Sequence, residues 1–182
     1  VYKRQVLQTS WVFYKKNEYD KAIQSLTPIE KTHPHPEIVY NLLGQYYFRE
    51  KYFEKGKKYF EKVIELDNEN FRAFSQIGFY YLMQKNIQKG LQFLKNAQKL
   101  NQYDALTHRN FGIYYAIQKD FLTAYHHFDT AIELNPSLEL VHYYYAIAKL
   151  TNHEKEDAIA QLLISKRYNE PEAISKLEGL KE

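Results

Sequence analysis

Five glycines in the middle of the chain recur at one fixed interval. Gly44, Gly78 and Gly112 lie 34 residues apart, and Gly56 and Gly90 are separated by the same 34. A fixed interval of this length is typical of repeat architectures, in which each unit buries its apolar face against its neighbours. We therefore expect a stack of similar units in place of a single globular core.

Alignment of the chain on these glycines divides it into five copies. The three central copies occupy 37–70, 71–104 and 105–138, and two weaker copies flank them in the same register at 3–36 and 139–172. Each copy carries two apolar stripes of helical period, separated by a short polar turn. The sequence therefore predicts a pair of helices in each copy.

The second copy shows both stripes. The residues spaced for one face of its first helix are Tyr40, Leu43, Gly44 and Tyr47, and those of its second helix are Gly56, Phe60, Val63 and Ile64. A glycine inside a helix costs about 1 kcal/mol relative to alanine. Its return at the same place indicates a packing role, for which close approach of two helices is the simplest explanation. Pro34 and Pro136 close the first and fourth copies, because proline lacks the N–H that would continue a helix.

This pattern resembles the tetratricopeptide repeat, a 34-residue helix-turn-helix unit with the signature W-x2-L-G-x2-Y, then A-x3-F, then P. The third copy matches the signature with Phe74, Ile77, Gly78, Tyr81, Gly90, Leu94 and Ala97. The fourth copy matches it with His108, Phe111, Gly112, Tyr115, Ala124, Phe128, Ala131 and Pro136. The last copy departs from it, with Ala146 in place of the glycine and Lys149 in place of the tyrosine.

The resemblance implies an all-α fold, a right-handed α-solenoid of tandem helix pairs that covers 6–172. The tail at 173–182 predicts a C-terminal capping helix, with one apolar face and charges elsewhere. The residues of that face are Ala173, Ile174, Leu177 and Leu180. Lys149, which replaces a core tyrosine, suits a more polar end of the stack.

Histidines are the first candidates for chemistry. A metal site requires three or four converging ligands, and adjacent residues in a helix point about 100 degrees apart. We therefore predict structural roles, with no metal and no cofactor. The histidines considered are His33 and His35, the adjacent pair His126 and His127, and His108 and His142, which share one repeat position.

Known catalytic motifs do not match the sequence. The glycines are isolated at repeat spacing, so they form neither a dinucleotide-binding loop nor a P-loop. The chain has no cysteine, which excludes disulfides and thiol nucleophiles. We predict that this stretch of chain is not an enzyme.

Tyrosine is unusually abundant, with 18 copies beside 11 phenylalanines. The runs YYF, YYL and YYA begin at 46, 80 and 114. Aromatic side chains among basic residues can stack single-stranded nucleic acid, but the second tyrosine of each run falls on a core position of the repeat. A net charge of +3 spread along the chain adds no argument for nucleic acid. We predict packing roles for these tyrosines and expect no nucleic-acid partner.

The resemblance also implies a binding groove. In tetratricopeptide repeat proteins the first helix of each repeat lines a concave surface, and its second, fifth, sixth and ninth positions meet a protein or peptide ligand. Carried onto this chain, these positions are Asn41, Gln45, Arg72, Gln76, Phe79, Arg109, Asn110, Tyr143 and Tyr144. The amides of Gln76 and Asn110 would hold the backbone of an extended peptide, and Arg72 and Arg109 would take carboxylates.

Members of the family that bind chaperones hold an acidic C-terminal tail with a clamp of lysine, asparagine and arginine. The corresponding residues here are Asn41, Gln45, Gln76, Leu106 and Asn110. The basic groups of the clamp are missing, so we expect no recognition of a chaperone tail.

Three alternatives stay open at this point. The polar groove residues are solvated and bind nothing tightly, or the chain is a regulatory or scaffold segment of a longer protein whose catalytic or membrane domain lies elsewhere. The third alternative is a solenoid that binds nucleic acid. No apolar run approaches the roughly 20 residues that a membrane-spanning helix needs, and we expect a cytoplasmic location.

The first five residues, VYKRQ, raise a separate question. They read as the translation of a transposase recognition sequence used to tag sequencing libraries, so we expect 1–5 to be adaptor-derived. The true start of the protein would then lie upstream, and export would stay possible. Richness in Lys, Asn, Ile and Tyr suggests an AT-rich bacterial genome.

Overall fold

The computed structural model describes residues 2–180, which form eleven α-helices and no strand. A short 3-10 turn at Thr27–Ile29 follows the second helix. The predicted all-α solenoid of helix pairs is confirmed. The helices are α1 (Tyr2–Lys15), α2 (Tyr19–Leu26), α3 (Pro36–Arg49), α4 (Phe53–Leu66), α5 (Phe71–Met83), α6 (Ile87–Leu100), α7 (Ala105–Ile117), α8 (Phe121–Leu134), α9 (Val141–Thr151), α10 (Lys155–Arg167) and α11 (Pro171–Gly179).

A tight turn of constant geometry joins the two helices of each repeat. One residue in each turn adopts the left-handed conformation, with φ between 60 and 63 degrees. The N–H of the next residue bonds a carbonyl five residues earlier, as from Tyr52 to Tyr47 at 2.9 Å, which satisfies the open end of the first helix. The left-handed residues are Asn17, Lys51, Lys85, Lys119 and His153.

The repeated glycines serve helix packing, as predicted. A Cβ atom on Gly56 would lie 2.2 Å from Cδ1 of Phe48 and 2.8 Å from the carbonyl oxygen of Gly44. A Cβ atom on Gly78 would lie 2.8 Å from Cδ2 of Leu94. Both sites lie inside helices, so the missing side chain is what lets paired helices approach.

A recurring three-residue cluster, which we call the repeat triad, fills the space between the helices of each central repeat. In the second repeat the ring of Tyr59 lies 5.9 Å from Tyr40 and 5.6 Å from Tyr47, measured between ring centroids. The same places in the third repeat hold Phe74, Tyr81 and Phe93, and in the fourth His108, Tyr115 and His127. The predicted packing role of Tyr47, Tyr81 and Tyr115 is confirmed.

The first and last repeats contact each other, so the stack closes on itself. The hydroxyl of Tyr14 donates a hydrogen bond to the carboxylate of Glu139, 125 residues away. Lys15 Nζ lies 3.6 Å from the same carboxylate. Arg49 Nη1 lies 3.2 Å from Glu172 Oε1 at the start of α11. These contacts bring α1 and α3 against the end of the array.

The last helix, α11, begins at Pro171, two residues before the predicted capping segment. Ala173 is fully buried, and Leu177 and Leu180 pack against the small apolar cluster at the end of the array. Residues 181 and 182 of the predicted segment lie outside the described residues. At the other end, α1 already includes Tyr2, and Val1 of the predicted adaptor segment likewise lies outside them.

Candidate peptide-binding cavity

The inward faces of the first helices enclose a cavity of about 970 Å³, which we call the central cavity. Most of the lining residues come from α1, α3, α5, α7 and α9, because the first helix of every repeat faces the inside of the curved stack. Phe53, Leu134, Glu172 and the segments between repeats complete the wall. Its wall is partly apolar, with Trp11, Phe48, Phe79 and Met83, and partly charged. Concave sites of this kind, apolar with a few placed polar groups, are typical of ligand-binding sites.

Seven of the nine residues predicted from the sequence line this cavity: Gln45, Arg72, Gln76, Phe79, Arg109, Tyr143 and Tyr144. The other two, Asn41 and Asn110, are not part of its wall. Asn41 Oδ1 is buried without a hydrogen-bond partner in residues 2–180. The structure therefore brings most of the predicted set together around one space.

Arg109 lies on the floor of the central cavity with only 6% of its surface exposed. Its guanidinium carbon lies 5.6 Å from the ring centre of Phe79 and 5.6 Å from that of Tyr144, and the two ring centres are 5.7 Å apart. Nη1 donates a hydrogen bond to the carbonyl oxygen of Glu139 at 2.8 Å. Burial lowers the pKa of the guanidinium group and raises the pKa of Tyr144 to about 12.

Asn110 supports Arg109 and ties it to the preceding repeat. Its Oδ1 accepts hydrogen bonds from Arg109 Nε at 3.1 Å and Nη2 at 3.0 Å. Its Nδ2 donates to the carbonyl oxygen and to Oγ of Ser75, both at 3.0 Å. Asn110 is fully buried, so these bonds occupy the groups that were predicted to hold a peptide backbone. In this structure the amide positions Arg109 and does not face the cavity.

The three acidic side chains of the wall are all engaged with neighbours. Asp104 caps α7 by accepting a hydrogen bond from the N–H of Thr107 at 2.9 Å, and Arg72 Nε lies 3.6 Å from its other oxygen. Glu139 contacts Tyr14 of the first repeat, and Glu172 contacts Arg49 of the second. These pairs leave no free carboxylate on the cavity wall within residues 2–180.

The contact of Arg49 with Glu172 lies close to the cavity rim. Burial acts to lower the pKa of Arg49, but the carboxylate of Glu172 and the hydroxyls of Tyr14 and Tyr19 outweigh it, so the pKa is raised. Burial, followed by the charge of Glu139, raises the pKa of Tyr14 well above its ordinary value. Both groups therefore keep their protons at neutral pH, which preserves the closing contacts.

Sequence reasoning missed the parts of the cavity that come from the closure of the stack. Trp11, Tyr14 and Lys15 belong to the weakest copy, and Glu139 and Glu172 lie at the other end of the chain. The repeat pattern could have identified Phe48, since it directly follows the core residue Tyr47 and faces inward. No pattern within one repeat reports that residues more than 120 positions apart will meet.

Outside the cavity, His108, His127 and His142 pack between helices. His108 Nδ1 lies 3.1 Å from His127 Nδ1, and His142 Nδ1 lies 2.7 Å from Gln161 Oε1. Residues 2–180 hold no cluster of three or more His, Asp or Glu side chains arranged for a metal ion. Within the same residues, no helix has the length and hydropathy needed to cross a membrane.

Comparison with known proteins shows which of them are similar to this chain. The family model of the tetratricopeptide repeat matches residues 38–70, and no curated protein matches the chain. The structure of TTC0263, a thermophilic protein of Thermus thermophilus, covers 91% of this chain and 91% of its own, with a TM-score of 0.76 and 15% identity.

Two further solved structures are similar to this chain to different degrees. A chain of the APC/C hetero-tetramer Cut9-Hcn1 matches 90% of this chain over 34% of its own length, with a TM-score of 0.77 and 17% identity. YrrB matches 95% of this chain over 90% of its own, at 18% identity, but with a TM-score of only 0.52. The spacing of the glycines, the stacked helix pairs and the match of the second repeat lead to one conclusion: the chain has the fold of tetratricopeptide repeat proteins.

Proposed function

We propose that this chain is a non-catalytic protein-protein interaction module that binds a segment of a partner protein in the central cavity. The observation that carries the proposal is the cavity itself, about 970 Å³ in volume and lined by seven of the residues that the family resemblance implies. Proteins of this fold generally act in protein-protein interaction. YrrB, a structural neighbour, is described as having an unusual peptide-binding site.

The chemistry of the wall suits a peptide with mixed side chains. Phe48, Phe79 and Met83 offer apolar contacts, while Gln45 and Gln76 each offer an amide that both donates and accepts hydrogen bonds. The amide of Gln76 is half-buried on the inward face of α5. A partner segment would gain apolar burial and backbone hydrogen bonds in the same space.

A display library of random peptides tests this function. Wild-type protein is compared with Gln76→Trp, which fills the cavity, and with Gln92→Trp, which adds the same side chain to an exposed position on α6. We expect peptides selected by the wild type to bind Gln92→Trp equally and to bind Gln76→Trp at least ten-fold more weakly. Equal binding to all three proteins, or no selection by the wild type, would overturn the proposal.

A further inference from the structure

Arg109 is a buried positive charge that makes no ion-pair contact in residues 2–180, and the charges of Glu139 and Glu170 act on it only from further away. No carboxylate oxygen in residues 2–180 lies within ion-pair distance of its guanidinium group, whose hydrogen bonds go to the amide of Asn110 and to the backbone carbonyl of Glu139. Removing a charge from water without a counter-charge is costly. A buried arginine in this state is well placed to receive an anion.

Counting charges on the cavity wall leads to the same residue. The wall carries three acidic residues, and each has its own basic neighbour. Asp104 lies beside Arg72, Glu139 beside Lys15 and Glu172 beside Arg49. Of the remaining basic residues, Lys51 is exposed at the rim and Arg109 is buried on the floor. Arg109 is therefore the buried basic residue of the wall that has no carboxylate in ion-pair contact within residues 2–180.

Hydrogen-bond donors on Arg109 are also left over. A guanidinium group carries five N–H donors. Asn110 takes two of them and the carbonyl oxygen of Glu139 takes one, which leaves two without a partner in residues 2–180. Carboxylates match the planar guanidinium group better than any neutral acceptor does.

The surroundings of Arg109 hold the group in a fixed orientation. Phe79 and Tyr144 lie on one side of it, each with its ring centre 5.6 Å away and the two ring centres 5.7 Å apart. Asn110 holds one edge while being tied to Ser75 in the preceding repeat. An arginine that is fixed in advance in this way loses little freedom when a ligand binds.

We propose that the partner segment carries an acidic side chain, and that its carboxylate binds Arg109 on the floor of the central cavity. This inference rests on the proposed function and specifies the partner: a peptide in which an aspartate or glutamate is flanked by apolar residues that contact Phe48, Phe79 and Met83. The carboxylate supplies the missing counter-charge and accepts the two remaining N–H groups.

Two display libraries of random peptides test the proposal with the wild-type protein. In one the peptides end in a C-terminal amide, so only side chains can supply a carboxylate; in the other they end in a free carboxylate. We expect the amidated library to yield peptides with one aspartate or glutamate at a fixed position. We also expect replacement of that residue by asparagine or glutamine to weaken binding more than ten-fold, because an amide carries no charge.

Variants of the protein locate the charge that recognises the peptide. Arg109→Met should weaken binding of the selected acidic peptide more than ten-fold and bring it close to that of its amide counterpart. Lys95→Met serves as the control, since Lys95 is a basic residue that is exposed on α6 and does not line the cavity. Because Arg109→Met also loses internal bonds, its circular dichroism spectrum must match that of the wild type. The peptide replacements test the proposal independently of any variant.

The possible outcomes separate this inference from the proposed function. Peptides selected without a shared acidic position, or an unchanged affinity of the asparagine or glutamine peptide, overturn the acidic-side-chain proposal and leave peptide binding in place. Selection confined to the library with free C-termini also overturns it, in favour of a terminal carboxylate. Absence of any selected peptide overturns both.

Discussion

The second and fourth repeats share one backbone plan but fill it with different side chains. The second repeat packs a triad of tyrosines and pairs Phe48 with Gly56 between its helices. At the corresponding places the fourth repeat has two histidines around Tyr115, and it pairs Ala116 with Ala124. The fold therefore depends on the summed shape of facing side chains more than on any single residue type.

The two repeats also differ in polarity toward the cavity. Position six of the repeat holds Leu42 in the second copy, which packs against the apolar cluster of the first two repeats. In the fourth copy it holds Asn110, which is fully buried and hydrogen-bonded on both sides. The fourth repeat thus gives up apolar packing in order to hold an arginine at the cavity floor. Four experiments test what these differences contribute.

The largest loss in the free energy of unfolding is expected when Asn110, at position six of the fourth repeat, is replaced by leucine, the residue at that position in the second repeat. Asn110→Leu removes the acceptor of two Arg109 hydrogen bonds and the donor to Ser75. It leaves a buried charge and a buried hydroxyl less satisfied, at a cost of about 3 kcal/mol. Denaturant unfolding followed by circular dichroism measures the free energy of unfolding.

The matched control for this substitution is Gln76→Leu. Gln76 lies at the same repeat position in the third copy but is half-buried at the cavity wall. We expect its replacement to change the free energy of unfolding by less than about 1 kcal/mol. Equal losses from the two variants would show that the bond network around Arg109 contributes nothing beyond side-chain volume.

The second experiment adds a methyl group where the second repeat has none. Gly56→Ala places a Cβ atom 2.2 Å from Phe48 Cδ1 and 2.8 Å from a backbone oxygen of α3. Overpacking of this kind costs about 1–3 kcal/mol, which exceeds the gain of up to about 1 kcal/mol from helix propensity. We expect a net loss of roughly 1–2 kcal/mol in the free energy of unfolding.

Two further variants show whether the clash is the cause. Gly179→Ala adds the same methyl group where no heavy atom lies within 4 Å, so it should leave stability unchanged or slightly higher. In a Phe48→Ala background, which imitates the Ala116 and Ala124 pair of the fourth repeat, the penalty of Gly56→Ala should decrease, since only the 2.8 Å contact with the Gly44 carbonyl oxygen remains. An undiminished penalty there would rule out Phe48 as the obstacle.

The third experiment concerns how the titration of His127 changes the free energy of unfolding with pH. In the second repeat the same position is occupied by Tyr59. Burial, and then the neighbouring His108 and His126, lower the pKa of His127 from 6.5 to about 4. Above pH 6.5 both folded and unfolded chains hold His127 neutral, and its contribution to stability is fully present. As the pH falls below 6.5, the unfolded chain takes up a proton that the folded chain resists, so the free energy of unfolding decreases.

Replacement of His127 by the corresponding residue of the third repeat removes this pH-dependent contribution to the free energy of unfolding. His127→Phe imitates Phe93. Its free energy of unfolding relative to that of the wild type should be about 1–2 kcal/mol higher at about pH 5 than at about pH 7. The range allows for the partial exposure of the ring. If His127→Phe and wild type lost stability in parallel over this interval, His127 would not be the titrating group.

Repeat spacing predicted the helix pairs well because each pair is held together by contacts within about 34 residues. Gly44 and Gly56 lie on facing helices of one hairpin, so a local pattern reports their packing. The resemblance to a known family placed Gln45, Gln76 and Phe79 on the inner face by position alone, and the structure puts them there. These parts of the site follow from the repeat.

The rest of the cavity depends on curvature, which no single repeat encodes. Small rotations at each interface add up until Tyr14 meets Glu139 and Arg49 meets Glu172. The burial of Asn110 was also missed, because the pattern that assigns a residue to the inner face does not say whether a neighbouring side chain covers it. Long-range closure and side-chain networks therefore had to come from the structure.

The smallest effect is expected at the helix starts, where the two repeats differ again. In the fourth repeat Asp120 caps α8 by accepting a hydrogen bond from the N–H of Thr123 at 3.2 Å. The corresponding residue of the second repeat, Tyr52, has no side-chain cap on α4. Asp120→Ala should lower the free energy of unfolding by about 1 kcal/mol, whereas Asp120→Asn, which still accepts the bond, should preserve it.

Tyr52→Asp should raise the free energy of unfolding by about 0.5 kcal/mol, since the new cap outweighs the loss of contacts from a ring that is 53% exposed. Thermal unfolding resolves both shifts, and unchanged midpoints for Asp120→Ala and Tyr52→Asp would show that these helix starts are held by packing alone.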